Sequence, residues 1–338
     1  MTSAAIYGLA GLELTADEKA FFRDADPWGF ILFARNIDRP KQVSKLCVAL
    51  RDAVGCNAPI FIDQEGGRVQ RLKPPTWRAA PPADVFGTLF RKDEEAGLEA
   101  VRLNHRLIAH ELMALGVDAD CAPCIDLQIE GADAIIGDRS YSTEPEIVAR
   151  LGRAAMEGLL AGGVAPVIKH IPGHGRADAD SHLALPRVDT PREVLETTDF
   201  APFRDLVDAP MAMTAHVVYS DIDPDDPATH SEAMIADVIR GSIGFDGLLM
   251  SDDLSMQALS GSLPVRAERA LGAGCDLVLH CNGQMKEMVA IAHAVPALSG
   301  RALDRANAAA DCRKTPDDFD AKAGLARLDA LLRMGAPA

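Results

Sequence analysis

Eight short apolar segments, each followed by a longer amphipathic stretch, constrain this chain more than any other feature. The segments are residues 6–9, 29–33, 60–63, 118–121, 166–169, 211–215, 247–251 and 276–280. Apolar runs this short, bounded by turn-forming residues, read as buried strands. The stretches between them carry the 3.6-residue periodicity of helices, for example 41–54, 98–115, 146–161, 231–239, 264–273 and 286–295. Eight strands alternating with helices predict an α/β fold, a single (β/α)8 TIM barrel. Its domain would span 1–338, with region 311–334 forming a turn and a closing helix. An open doubly wound sheet is the alternative. No G-x-G-x-x-G follows any strand, which weakens the nucleotide-binding form of that fold. There is no internal repeat and no low-complexity linker.

The polar residues fall at the C-terminal ends of these segments. The third ends in Asp63-Gln64-Glu65-Gly66-Gly67-Arg68 and the fifth in Lys169-His170. The sixth ends in Thr214-Ala215-His216, the seventh in Ser251-Asp252-Asp253, and the eighth in His280-Cys281-Asn282. Barrel enzymes carry their chemistry on that face.

Composition excludes several partners. The chain has 50 acidic and 34 basic residues, a net charge of −16. Such a surface repels nucleic acid and anionic lipid. No apolar run approaches the ~20 residues of a membrane helix. The start, Met1-Thr2-Ser3-Ala4-Ala5-Ile6-Tyr7, lacks the features of a signal peptide, so a cytoplasmic location is expected. Seven cysteines, an odd number, suit free thiols in a reducing compartment. Cys121-Ala122-Pro123-Cys124 has redox spacing but lies at a strand end without a following helix, and reads as packing.

Residues 169–182 hold three histidines, a lysine, two aspartates and two glycines. Such groups gain nothing by crowding unless they grip a ligand or move protons. Gly173 and Gly175 bracket His174 and give the loop backbone freedom near its base, so the loop is expected to be mobile and to close over a substrate. In Asp180-Ser181-His182 the carboxylate can reach the imidazole, orient it and raise its basicity. Asp252 and Asp253 are adjacent, so their side chains diverge and one faces the barrel axis. Asp252 is taken as that residue, and Asp253 as the cap of a helix beginning near Leu254. Asp63, Arg68, Arg71, Arg139 and Lys169 read as a set for binding hydroxyl and amide groups. An ion pair with Asp138 is the competing role for Arg139.

These motifs occur in one order, together with Gly29-Phe30-Ile31-Leu32-Phe33-Ala34-Arg35-Asn36, Ala212-Met213-Thr214-Ala215-His216 and Ala273-Gly274-Cys275-Asp276. Across roughly residues 6–285 the chain closely resembles the single-domain β-N-acetylhexosaminidases of glycoside hydrolase family 3, the bacterial NagZ type. The resemblance implies a retaining exo-glycosidase with a barrel fold. It would remove β-linked N-acetylglucosamine from cytoplasmic muropeptides during peptidoglycan recycling. It implies Asp252 as nucleophile, His182 as acid/base and Asp180 as its dyad partner. Substrate would be bound by Asp63, Arg71, Arg139, Lys169 and His170, with Arg68, His174 and His216 as further candidates. No cofactor or metal is implied, and a monomer is expected. Ile171, Leu72 and Gln257 depart from the usual Phe, Phe and Glu, which touches only the fine shape of the pocket.

Two rival functions use the same residues differently. A metal-dependent barrel amidohydrolase would use His170, His174 and His182 as ligands. Lys169 beside them disfavours a cation, and their spacings match no usual zinc motif. A non-catalytic sugar-binding protein would keep Asp63 and Arg139 without needing Asp252 or the Asp180–His182 pair.

Overall fold

Strands buried on both faces must be apolar throughout, which is the requirement of a parallel barrel wrapped in helices. The computed structural model describes residues 1–335, and its eight barrel strands are mainly apolar, with polar residues concentrated towards their C-terminal ends. They are β1 (Ser3–Tyr7), β2 (Pro27–Leu32), β3 (Ile60–Ile62), β4 (Ala119–Asp120), β5 (Ala165–Ile171), β6 (Met211–Thr214), β7 (Leu248–Asp253) and β8 (Leu277–His280). Every residue of β2, β3, β5, β6 and β8 is buried. Each strand pairs in parallel with its sequence neighbours, and β8 closes on β1 through Ala5–Val278, Ile6–Leu279 and Tyr7–His280. The barrel class expected from the sequence is borne out.

The helices around it are α1 (Ala16–Ala25), α2 (Pro40–Val54), α3 (Ala83–Lys92), α4 (Glu94–Met113), α5 (Pro145–Ala161), α6 (Arg192–Thr197), α7 (Ala201–Asp205), α8 (Leu263–Ala273), α9 (Met285–Ala292), α10 (Gly300–Asp311) and α11 (Ala321–Gly335). Local signals set their limits. Thr15 and Glu18 form a capping box at the start of α1, with Thr15 Oγ1 accepting the Glu18 amide at 3.1 Å. Pro40 and Pro145 open α2 and α5. On α2 the buried Val43, Leu46, Cys47 and Leu50 form the stripe that faces the barrel. The expected closing helix is α11, which packs on α3 and α4.

Helices α1, α3, α6, α7 and α10 are not among the stretches named from the sequence pattern. Glu18 and Phe22 are the buried residues of α1, and Ala306 and Ala309 those of α10, so neither carries a readable apolar stripe. The 231–239 helix is a π-helical segment at Met234–Ser242. The helix expected near Leu254 does not form; that stretch is turn, and α8 begins at Leu263.

Ion pairs hold the strand bottoms. Asp118, just before β4, binds Arg51 at 2.9 Å and Arg313 at 2.6 Å. Asp276, just before β8, binds Arg240 at 2.8 Å and Arg305 at 3.0 Å. The charges at the opposite end of the barrel line a cavity. No described helix is long and apolar enough to cross a membrane, and all seven cysteines are free thiols.

Candidate active site

A cavity of about 250 Å³ opens at the C-terminal ends of the strands. Its wall contains Asp63, Arg68, Arg71, Arg139, Lys169, His170, His174, His182 and Asp252. Residues distant in sequence, such as Asp63 and Asp252, meet there because they lie at or just beyond the C-terminal ends of different barrel strands.

One side of the wall is a chain of alternating charges. Arg71 donates to Asp63 at 2.9 Å, and Lys169 Nζ donates to the other oxygen of Asp63 at 2.9 Å. Lys169 also lies 2.6 Å from Glu65 Oε1, and Arg139 grips Glu65 with two bonds of 2.9 Å. The expected alternative, an Arg139–Asp138 pair, is not formed: Asp138 takes Arg68 instead, at 2.8 Å. Burial alone would raise the Asp63 carboxyl, but Lys169 and Arg71 hold it far below the carboxylate range. Burial would likewise lower the Lys169 ammonium, and Asp63 and Glu65 keep it well above its ordinary value. All five groups therefore stay charged, fixed and partly free to bind hydroxyls. Glu65 was missed in the sequence, where it was one letter of the Asp63–Arg68 motif. It lies within the first strand of the Gln64–Gly66/Val69–Gln70 hairpin, a position that supplies the approach to Arg139.

A second group hangs on Asp126, which is fully buried. Its Oδ2 accepts His170 Nδ1 at 2.6 Å, and its Oδ1 accepts the backbone amides of His170 at 3.1 Å and His174 at 2.6 Å. Burial would raise this carboxyl, and His170 outweighs it, so Asp126 stays ionised. With Nδ1 donating to a carboxylate, His170 presents Nε2 to the cavity. Cys124, Asp126 and His170 bring three ligand-type atoms within 4.8 Å of one another, joined by these bonds and by a 3.3 Å Cys124–Asp126 contact. The sequence hid Asp126 behind the Cys121–Cys124 spacing. Asp126→Ala is expected to lower kcat by about 100-fold through misplacement of His170 and the loop root. Steady-state kinetics with an aryl glycoside check this, and an unchanged kcat would remove Asp126 from the positioning framework.

His174 lines the cavity, with its ring 5.5 Å from that of His170. Burial pushes its pKa down to about 4. A neutral imidazole at neutral pH is a hydrogen-bonding group and a poor acid. Its folded pKa lies below the unfolded value near 6.5. The folded state therefore binds fewer protons, and the stabilisation present above pH ~6.5 is lost as pH falls towards ~4. Thermal unfolding should drop across that window, and His174→Gln should flatten the slope. An identical slope in the variant would contradict the buried neutral state.

Asp252 sits on β7. Its Oδ1 accepts the Asp253 amide at 2.7 Å. Burial would raise its carboxyl, but His216, His170 and Lys169 overcome this and hold it below its ordinary value. Asp253 also touches the cavity, but its oxygens are engaged: Oδ1 accepts the amides of Ser255 and Cys281, both at 3.1 Å, and Oδ2 accepts Ser255 Oγ. It caps a turn. His216 is brought beneath Asp252 and does not reach the cavity wall. Its Nδ1 bonds Thr229 Oγ1 at 2.7 Å and its Nε2 donates to the Asp253 carbonyl at 3.1 Å. Arg68 reaches the rim, with its guanidinium spent on Asp138 and on the carbonyls of Ala134, Ile135 and Ile136.

The 169–182 loop crosses the mouth. Asp180 Oδ1 accepts His182 Nδ1 at 2.7 Å and the His182 amide at 2.9 Å. This leaves Nε2 available on a ring that is 63 % exposed. The two glycines differ in role. Gly173 adopts φ +140°, a conformation that disfavours side chains, whereas a Cβ on Gly175 would stand 2.2 Å from the Leu127 carbonyl. Gly175 serves close approach, a constraint the sequence reading took for freedom. None of the three departures, Leu72, Ile171 and Gln257, reaches the wall.

Fixed carboxylates, guanidinium groups and an ammonium lie over a barrel mouth beside the Asp252 carboxylate and a carboxylate-oriented imidazole, a polar wall chemically suited to a hydroxyl-rich ligand. The family model for the glycosyl hydrolase family 3 N-terminal domain matches residues 8–310. A β-hexosaminidase of Xanthomonas axonopodis pv. citri is 38 % identical over 305 residues, covering 89 % of each chain. Another, from Alkalilimnicola ehrlichii, is 42 % identical over 282 residues, 81 % of this chain and 79 % of that one. NagZ of Neisseria gonorrhoeae, solved in complex with N-trifluoroacetyl-D-glucosamine, superposes with a TM-score of 0.88 at 33 % identity over 99 % of both chains. The chain belongs to glycosyl hydrolase family 3, and the resemblance to its NagZ-type members is borne out.

Proposed function

We propose that this protein is a retaining exo-β-N-acetylglucosaminidase that works through a glycosyl–Asp252 intermediate. The observation that carries the reading is the pairing of an ionised, otherwise unspent Asp252 with an Asp180-oriented His182 on one cavity wall. The carboxylate attacks the anomeric carbon. His182 gives its proton to the glycosidic oxygen as the C–O bond breaks. The same imidazole then takes a proton from water, which attacks the anomeric carbon and frees Asp252. A neutral base here does not repel the anionic nucleophile. Asp63, Arg71, Arg139, Lys169 and His170 bind the non-reducing sugar, and a cavity of about 250 Å³ suits one monosaccharide ring.

The substrate follows from the relatives. They are β-hexosaminidases, and one binds an N-acylated glucosamine. We take the aglycone to be the anhydro-muramoyl peptide of recycled peptidoglycan. The protein then acts in the cytoplasm as a monomer, one barrel domain without a metal. The test is proton NMR of a disaccharide–peptide digest. β-N-acetylglucosamine should appear before its α-anomer. An α-anomer formed first, or activity lost to EDTA and restored by zinc, would overturn the reading in favour of inversion or of metal-assisted hydrolysis.

A further inference from the structure

A second cavity, of about 510 Å³, lies between the segments that lead into α1 and α2 and the first turns of those helices, on the βα-loop end of the barrel. Its charged wall is Lys19, Arg39, Lys41 and Lys45 against Glu13. Lys19 is on the first turn of α1, and Lys41 and Lys45 are on the first turns of α2. Among the described residues, no ion pair or side-chain hydrogen bond is made by Lys19, Lys41 or Lys45, and all three are exposed. Arg39 has a loose, exposed contact of 3.6 Å with Asp38.

With 50 acidic residues against 34 basic ones, a cation on this surface has an excess of carboxylates to pair with. Several exposed arginines do so, as with Arg102 on Glu157 and Arg327 on Glu99. The cavity instead gathers unpaired ammonium groups on a protein of net charge −16. The ligand such a wall fits is a small anion with more than one charge.

Phe33 belongs to the wall of the active-site cavity and Arg39 to the second, six residues further on. The chain allows at most about 20 Å between them. An extended peptide of four residues spans about 14 Å, and the sugar that carries it adds to this reach. We propose that the basic cavity is an exosite for the carboxylates of the peptide carried by the aglycone. The inference rests on the muropeptide reading above. It assigns Lys19, Lys41 and Lys45 to substrate selection and leaves bond cleavage to the first cavity.

The experiment compares the native enzyme with a Lys19→Ser, Lys41→Ser, Lys45→Ser variant on three substrates. These are 4-nitrophenyl N-acetyl-β-glucosaminide, the peptide-free disaccharide and the disaccharide–tetrapeptide. The variant should raise KM about tenfold for the peptide substrate alone, with kcat unchanged. The KM of the native enzyme for that substrate should rise between about 20 and 300 mM salt, and the dependence should vanish in the variant. Equal changes on all three substrates, or no change on the tetrapeptide, would overturn the exosite while leaving the activity in place. A native enzyme that cleaves the peptide-free disaccharide and not the tetrapeptide would overturn the exosite and the muropeptide reading together. Loss of cleavage of all three by the native enzyme would instead refute the glycosidase reading on which both rest.

Discussion

Asp252→Asn is expected to lower turnover by about 10⁴-fold or more while binding of N-acetylglucosamine stays measurable. The amide is isosteric and can still accept the Asp253 N–H, so the cavity wall keeps its shape. It cannot form the acylal bond to the anomeric carbon. In the proposed reading the sugar is held by Asp63, Arg71, Arg139 and Lys169, whose mutual bonds do not pass through Asp252. Asp253→Asn is the contrasting variant. Its carboxylate holds Ser255 and the Cys281 amide, so its loss should reduce thermal stability more than it reduces the chemical step. Calorimetric titration of both variants with N-acetylglucosamine, beside their kcat values, separates the two roles. If Asp252→Asn keeps turnover and Asp253→Asn abolishes it, the assignment is reversed.

The second large effect is a dependence on the leaving group. His182→Ala should slow cleavage of a natural disaccharide by about 10³-fold and glycosylation by a nitrophenyl glycoside by less than about tenfold. A sugar alkoxide needs a proton to depart, and nitrophenolate does not. Deglycosylation still needs a base to activate water, so azide should partly restore the variant by attacking without one. Asp180→Ala should show the same pattern more weakly, because the imidazole remains but loses its 2.7 Å partner. Equal slowing of both substrates with no azide rescue would make His182 a binding residue. His174 is a poor substitute acid, since burial keeps its pKa near 4.

The barrel was legible because its rule is local. Strands β2 and β3 are apolar from end to end and β5 is apolar up to Lys169, and a short apolar run announces itself without reference to the rest of the chain. The Asp180–His182 hydrogen bond was legible for the same reason, since the two residues are two apart in sequence and meet through a turn. The supporting residues were not. Asp126 lies 44 positions from His170 in sequence, and Glu65 lies 74 from Arg139, so barrel closure alone reveals those partnerships. His216 shows the opposite error. It stands at a strand end like the others, yet its ring turns under Asp252 and is tied to Thr229 and the Asp253 carbonyl. A position at the end of a strand fixes which face of the barrel a residue serves; whether it meets substrate or holds its neighbour depends on packing that no single motif records. Gly175 is a similar case, since the Leu127 carbonyl that forbids a side chain there belongs to another loop.

The glycosyl–enzyme on Asp252 is the central claim, and intact mass spectrometry after treatment with a mechanism-based fluorosugar of N-acetylglucosamine tests it most directly. The account predicts a mass increase of one glycosyl unit, located by peptide mapping on Asp252 and absent from Asp252→Asn. No adduct under conditions where the reagent inactivates the enzyme, or an adduct on Asp253, His182 or another residue, would contradict it.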